Sequence, residues 1–360
     1  MNIPSLDQLR EQIDQLDARL QQLIDERARL AQQVARIKQA GEADPAYYRP
    51  AREAAVLRAV KARNQGPLDD ATMLRLFREL MSACLALESR LKVAYLGPRG
   101  TFTEAAALKH FGHSVDACPH PTIDMVFREV ESGAAHHGVV PVENSTEGAV
   151  THTLDRLLRS PLTICGEVVL AVHHCLLSRE PDIGAITHVR AHQQSLAQCR
   201  SWLDTRLAGR AQEAVSSNGE AARLAAGQAG AAAIASRQAA EVYDLQVLAE
   251  NIEDEPSNTT RFLVLGREPV GVTGEDKSVL LLATGNEPGA LHRLLAPFAE
   301  HGVGLSRIES RPSRRSAWDY NFFVDMEGHA EDPALRPMLA AVQRQASLFR
   351  VLGAYPVPVL

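Results

Sequence analysis

From Leu6 to Ile37, apolar residues recur every three or four positions: Leu6, Leu9, Ile13, Leu16, Leu20, Leu23, Leu30, Val34 and Ile37. No proline or glycine interrupts the run before Gly41, and Ser5 with Gln8 forms a capping box at its start. That period demands one helix of about 33 residues, roughly 50 Å long. A helix of this length overhangs any module that ninety residues can build. Its apolar stripe needs a partner, and a second copy of the chain is the simplest one. Two shorter helices follow, from Pro50 to about Arg63 and from Asp70 or Thr72 to about Arg90, parted by Gly66 and Pro67.

At Lys92 the pattern changes. KVAYLG, GPRGTFT and EAAALKHF read as strand, turn and helix, with Thr103 as N-cap, and GVVPVEN, STEG and AVTHTLDRLLRS repeat the grammar. EVVLAVHHCLL reads as one apolar strand, VRAHQQSLAQCRSWL turns helical near Ser195, and Ser217 with Glu220 caps an alanine-rich helix. Strands alternating with helices over residues 92–268 predict an α/β domain, and their return in two batches predicts two lobes around a cleft. After a polar linker, residues 277–354 read β-α-β-β-α-β, a ferredoxin-like arrangement. Trp318, Tyr320, Phe322, Val324 and Met326 alternate as a half-buried strand should. The expected fold is therefore an all-α domain (1–91), a two-lobed α/β domain and a ferredoxin-like third domain.

A net charge of −6 argues against non-specific nucleic-acid binding. Five cysteines without a CxxC pair suit buried thiols in a reducing cytoplasm. No apolar run is long enough to span a membrane. Neither His136–His137 nor His173–His174 has the spacing of a helix-borne metal site, so no metal and no cofactor is expected.

Arg27 and Lys38 lie eleven residues apart on the long helix, within about 20° of one face and roughly 16 Å from each other, a gap that suits a small dianion. Arg10 is about 25 Å from Arg27 and cannot join them. In an antiparallel pair of helices, Arg10 of one chain comes beside Arg27 of the other. LRxxIxxLDxxLxxLIxERxxLAxxV from Leu9, then Lys38 and YYRPAREAAVL, resembles the all-helical chorismate mutase family. The resemblance implies that Arg10, Arg27 and Arg52 hold the carboxylates of chorismate, Lys38 donates to its ether oxygen and Glu53 meets its hydroxyl. The rearrangement is pericyclic and needs a folded conformer and donors aimed at the growing charge, not a nucleophile. At the second ether donor, where members carry Gln, stands Glu88, which must be protonated to serve. Arg49 replaces an acidic residue and Cys84 a serine.

In the α/β region, GPRGTFT lacks the GKS or GKT of a P-loop and suits anion binding at a helix start. PVENS puts a carboxylate, an amide and a hydroxyl at a strand end. GPRGTFTEAA, PVENSTEGAV, AHQQSLAQC and NTTRFLVLG, in this order, resemble prephenate dehydratases. The order of modules resembles the bifunctional chorismate mutase/prephenate dehydratase family. Prephenate loses CO2 and its ring hydroxyl together, so a donor must meet that oxygen while the carboxylates are held. By resemblance Thr260 meets the leaving hydroxyl and Arg261 is the neighbouring cation. Phe262 begins the strand that fixes both. Asn144 and Gln198 complete the donor network, with Glu143, Ser145 and Thr101 nearby. Ala191 stands where some members carry serine.

GNEPGAL (Asn286, Pro288, Gly289, Ala290, Leu291) and ESRPS (Glu309, Ser310, Arg311, Pro312) resemble the ligand segments of an ACT domain. The implied effector is phenylalanine, bound between domains of paired chains; His292 replaces a frequent valine. The resemblance thus implies a cytoplasmic, cofactor-free enzyme of phenylalanine biosynthesis that assembles as a homodimer or higher homo-oligomer. Two other readings stay open: a dehydratase whose helices only dimerise, and a non-catalytic amino-acid-responsive binding protein.

Overall fold

The apolar stripe read from the sequence is carried by α1 (Leu6–Gly41), and most of it faces solvent. The structure is a computed structural model of the chain and describes residues 5–41, 48–313 and 320–359. The capping box forms: Ser5 N–H donates to Gln8 Oε1 at 2.9 Å, and Gln8 N–H to Ser5 Oγ at 3.2 Å. Residues 5–26 are all exposed, and only from Arg27 onward does α1 reach α3 (Asp70–Glu88). The short α2 (Pro50–Arg63) packs on α3 through Leu57, Val60 and Leu74. Asp69 caps α3 by accepting from Thr72 N–H at 2.6 Å.

The next stretch begins β1 (Lys92–Leu96), α4 (Phe102–Phe111), β2 (Asp116–His120), α5 (Ile123–Glu131) and β3 (His137–Asn144). It continues with β4 (Gly148–Ala149), α6 (Thr151–Leu157) and β5 (Thr163–Ala171). The chain then leaves for a second sheet: β6 (Cys175–Ser178), β7 (His188–His192), α7 (Gln193–Gln198), α8 (Arg200–Arg206) and β8 (Ala211–Val215). That lobe ends with α9 (Asn218–Ala225), β9 (Ala231–Ala235), α10 (Arg237–Tyr243) and β10 (Gln246–Ala249). Finally β11 (Thr259–Gly266) returns to the first sheet, inserted antiparallel between β3 and β5. The strand orders are β2-β1-β3-β11-β5, with β4 on β3, and β10-β6-β9-β7-β8. Two segments, 172–174 and 250–258, connect the lobes, so the expected pair of lobes is present.

Two expectations are corrected here. EVVLAVHHCLL is not one strand: β5 and β6 lie in different sheets, with Val172, His173 and His174 forming one of the crossings. Thr101, not Thr103, caps α4, accepting from Glu104 N–H at 3.4 Å, while Thr103 is buried in the first turn.

The third domain has β12 (Asp276–Ala283), α11 (Ala290–Glu300), β13 (Leu305–Pro312), β14 (Tyr320–Glu327), α12 (Arg336–Gln345) and β15 (Leu348–Pro356), ordered β13-β14-β12-β15. Trp318 lies outside the described residues. From Tyr320, β14 is not half-buried as its alternation suggests, because both of its faces are covered. Phe322, Val324 and Met326 meet α11 and α12, whereas Phe323 joins Leu281, Leu352 and Tyr355 in a core shared with Ile164 and Leu263. The sheet lies so close to β5 that a Cβ on Gly353 would stand 2.1 Å from Ile164 O. Only glycine fits there.

Candidate active sites

The helical site forms where α1 crosses α3. Leu80, Cys84 and Glu88 recur every four residues and so share one face of α3. Arg27 donates to Leu80 O at 3.5 Å, and Lys38 Nζ stands 3.4 Å from Glu88 Oε2; Cys84 is buried. Other sequence-derived residues are not gathered there. Arg10 is far along the exposed half of α1, paired with Asp7 at 3.6 Å. Arg49 and Arg52 are exposed at the start of α2. Glu53 turns toward the body of the molecule and pairs with Arg78 at 2.8 Å. Burial pushes its carboxyl above the usual range, against the pull of Arg78.

The second site is a cleft of about 220 Å³ between the two lobes. Strand β11 supplies one wall. Register pairs Thr260 with Asn144 and Arg261 with Glu143, and successive residues point to opposite faces. Thr260 and Phe262 therefore line the cleft, while Arg261 stands on the far side. Its guanidinium pairs with Glu167 at 2.7 Å and with Asp325 of β14 at 2.5 Å, and donates to Tyr355 Oη at 3.2 Å. Glu143 follows Arg261 to that face, 3.8 Å from it and 2.9 Å from Arg307. No Arg or Lys is found among the described residues that line the cleft.

What lines it instead is a set of oriented neutral groups. Asn144 Oδ1 accepts two backbone bonds, from Thr146 N at 3.0 Å and Glu147 N at 3.1 Å. This fixes the amide, so Nδ2 donates to Thr260 Oγ1 and Asn258 Oδ1, both at 2.9 Å. With its oxygen occupied as acceptor, the Thr260 hydroxyl has its hydrogen available to the cleft. Across the cleft, Gln198 Oε1 lies 3.0 Å from His174 Nε2. An amide oxygen only accepts, so Nε2 carries the hydrogen and Nδ1 is bare. Gln198 Nε2 is then a donor without a protein partner. Burial holds the His174 imidazole below its ordinary pKa, outweighing its bond to Gln198 and the nearby Glu253 carboxylate.

Thr101 also lines the cleft, but as a cap: its hydroxyl donates to Pro98 O at 3.0 Å. Ser145 lies behind the wall, its Oγ accepting from Thr259 N–H at 2.9 Å. The helix starts of α4 and α9 converge on the cleft at Phe102 and Asn218 and bring positive dipole ends to it. Ala191 is fully buried beside it. Sequence reading missed His174 and Asn258. The first stood in a His pair judged only as a metal site, and the second opens the NTTRF stretch that drew attention to the threonines. Among the described residues no cluster suits a metal ion, and no helix is long and apolar enough to cross a membrane.

Comparison with known proteins supplies the rest. A chain from Stutzerimonas stutzeri, a bifunctional chorismate mutase/prephenate dehydratase, is 54% identical over 356 residues, covering 98% of each chain. The chain belongs to the bifunctional chorismate mutase/prephenate dehydratase family. Three family models match in succession: chorismate mutase type II at residues 9–89, prephenate dehydratase at 93–270 and the ACT domain at 277–342. The solved prephenate dehydratase of Arthrobacter aurescens, a complex with L-Phe, superposes at a TM-score of 0.68 with 35% identity. It covers 74% of this chain and 90% of that one. A quorum-quenching acylase, GqqA, also reaches 0.68, at 28% identity over 74% of this chain and 98% of its own. The fold by itself therefore does not name the chemistry, and the groups in the cleft must.

In the third domain, Asn286, Pro288 and Gly289 are exposed, Leu291 is 39% exposed and Ala290 is buried. Gly289 adopts φ 75° before α11. His292 is exposed. Glu309 pairs with Arg307 at 3.5 Å, and Arg311 with Asp155 at 2.9 Å; Ser310 and Pro312 are exposed on the edge strand β13.

Proposed function

We propose that this chain rearranges chorismate to prephenate with its helical part and converts prephenate to phenylpyruvate in the two-lobed cleft, as an enzyme of phenylalanine biosynthesis in the cytoplasm. The observation that carries the second activity is the Asn144–Thr260 hydrogen bond. The ring carboxylate leaves as CO2, its electron pair enters the ring, and the ring C–O bond breaks as the ring becomes aromatic. Hydroxide is a poor leaving group, so the Thr260 hydroxyl donates to that oxygen, which departs as water once protonated, with solvent restoring the proton. Asn144 supports Thr260 Oγ1 as negative charge grows there. Helix starts and neutral amides hold the carboxylates.

The mutase reading requires a second chain. Arg27 and Lys38 supply one half of a dianion site, and an antiparallel α1 from a partner brings its own Arg10 alongside Arg27 while covering the bare stripe. Arg52 and Arg49, exposed at the start of α2, are the further cations that the family resemblance implies, and Cys84 is buried on the α3 face that carries Leu80 and Glu88. Glu88 faces Lys38, and in its protonated form it is the second donor to the ether oxygen. Glu53 pairs with Arg78 of α3, which in turn donates to His110 O of α4, and for that residue alone this favours support of the joint between domains over contact with the substrate hydroxyl.

Phenylalanine is the proposed effector, its carboxylate at the start of α11 and its ammonium at Glu309. Glu309 shares Arg307 with Glu143, the neighbour of Asn144. An ammonium that takes Glu309 leaves Arg307 to Glu143, and the catalytic strand feels the change. Arg261 ties the neighbouring strand β11, which carries Thr260, to Asp325 and Tyr355 of the third domain.

The test is turnover by the purified chain, following chorismate loss and phenylpyruvate formation separately. Both reactions are expected. Consumption of added prephenate with chorismate untouched reduces the helices to a dimerising element, and no reaction with either makes the chain a binding protein.

A further inference from the structure

We infer that Asn258 is a further substrate-contacting residue of the dehydratase site, its side-chain amide donating to an oxygen of the bound dicarboxylate. The inference rests on the dehydratase reading above and adds a residue that the sequence did not single out for this role.

The orientation of this amide is fixed by its neighbours. Asn144 presents Nδ2, because its Oδ1 is held by two backbone N–H groups. Asn258 must answer with Oδ1, which also lies 3.4 Å from the hydroxyls of Ser145 and Thr146. Three donors converge on that oxygen, so the NH2 group is turned the other way. There it meets no protein acceptor, although Asn258 is only 3% exposed. A buried amide donor left unpaired is costly, and such groups in folded proteins call for an explanation. Asn258 lines the cleft beside Thr260, and the cleft has no Arg or Lys among its described residues to hold an anion. Gln198 repeats the arrangement from the other lobe, its oxygen taken by His174 and its nitrogen unpaired. Two neutral donors, one per lobe, flank the site where a dianion must sit. The ligand class is a small dicarboxylate, and the amide supplies hydrogen bonds without a charge that would also grip the product.

The replacement Asn258→Asp separates this role from a structural one. It keeps the shape and the oxygen that receives Asn144, Ser145 and Thr146, and puts a negatively charged acceptor in place of the donor at pH 7.5. If Asn258 touches substrate, N258D raises the KM for prephenate about tenfold or more at pH 7.5 and changes kcat less. The defect shrinks as pH falls toward 5, where a protonated carboxyl donates again. A second replacement, Asn258→Ser, keeps one hydroxyl that both accepts and donates, and its kcat/KM should fall between those of wild type and N258D. The mutase reaction of each variant, read in the same tube, reports folding and dimerisation and should stay within twofold of wild type. An N258D variant within twofold of wild type for prephenate, or one that outperforms N258S at pH 7.5, overturns the inference and makes Asn258 a scaffold for Asn144. Failure of the wild-type chain to consume prephenate would instead overturn the dehydratase reading itself.

Discussion

The two candidate sites handle the same kind of molecule, a small ring dicarboxylate, by opposite means. The helical site presents cations, Arg27 and Lys38, spaced along one helix, and in the proposed reading the remainder comes from another chain. The interlobe cleft relies on neutral amides, a threonine and helix starts, all within one chain. The difference follows from how each element builds a wall. A lone helix shows solvent a stripe of long side chains and can gather charges only where another helix crosses it. Strand β11, flanked by β3 and β5, fixes each side chain to one face, so it can hold Thr260 against Asn144 within hydrogen-bonding distance. Charge suits the loose site, and rigid dipoles suit the tight one.

The comparison predicts that the two activities fail independently. Thr260→Ala should produce the largest effect: phenylpyruvate formation falls by about 10²–10⁴ through loss of the acid, with chorismate consumption unchanged. If both activities fall together, the sites are not separate. Loss of Arg10 should come next. Removing a charge-assisted contact of about 1.5–3 kcal/mol lowers mutase kcat/KM by about ten- to a hundredfold and leaves the dehydratase untouched. Arg10→Ala and Arg27→Ala chains, each crippled alone, should regain about a quarter of wild-type mutase sites when unfolded and refolded as a mixture, because half the dimers then hold one intact site. No recovery on mixing would mean that both arginines act within one chain.

How far the sequence shows these sites depends on how local their determinants are. The helix of α1, its cap and its uncovered stripe follow from a period of 3.6 and can be read directly. Thr260 and Asn144 lie in short motifs and are reached through the family resemblance that those motifs carry. The resemblance puts Arg261 beside Thr260 as the neighbouring cation. Strand alternation sends it to the opposite face, and the acids waiting there, Glu167 and Asp325, lie 94 and 64 residues away by numbering. Glu167 shows the strength of that pairing: burial pushes its carboxyl up, yet Arg261 and Lys277 hold it below the usual carboxylate range. His174 and Asn258 were missed for the same reason. Their meaning is set by which atom of a distant amide is already occupied, and no pattern along the chain records that.

Glu88→Gln tests the helical site more finely. A glutamine donates at any pH, whereas a carboxyl donates only while it holds a proton. The variant should therefore turn over chorismate several-fold faster than wild type at pH 8. A mutase rate at pH 8 unaltered by E88Q would remove Glu88 from the ether oxygen.

The smallest effect concerns stability, and it is lopsided. The helical part contains no histidine, since the first in the chain is His110. On the dehydratase side, burial lowers the pKa of His110 well below its ordinary value, with Arg78 adding to the shift, and lowers His137 to about 3. His174 is lowered as well, against the raising influence of Gln198 and Glu253. The unfolded chain binds protons at these rings from about pH 6.5 downward, while the folded chain resists them, so unfolding takes up protons. Stability from these groups is complete above that pH and declines as pH falls, by at most about 1.4 kcal/mol per ring for each unit. Between pH 6.5 and 6 this amounts to a few degrees in Tm, confined to the transition that destroys dehydratase activity. The two halves should therefore part on acidification: the dehydratase side loses stability, while the helical part, which has no histidine, is spared this loss. A single transition carrying both activities away together at pH 5.5 would show that the joint of Arg78 with the His110 carbonyl, and of Tyr48 with the His110 ring at 3.0 Å, makes the two halves one cooperative unit.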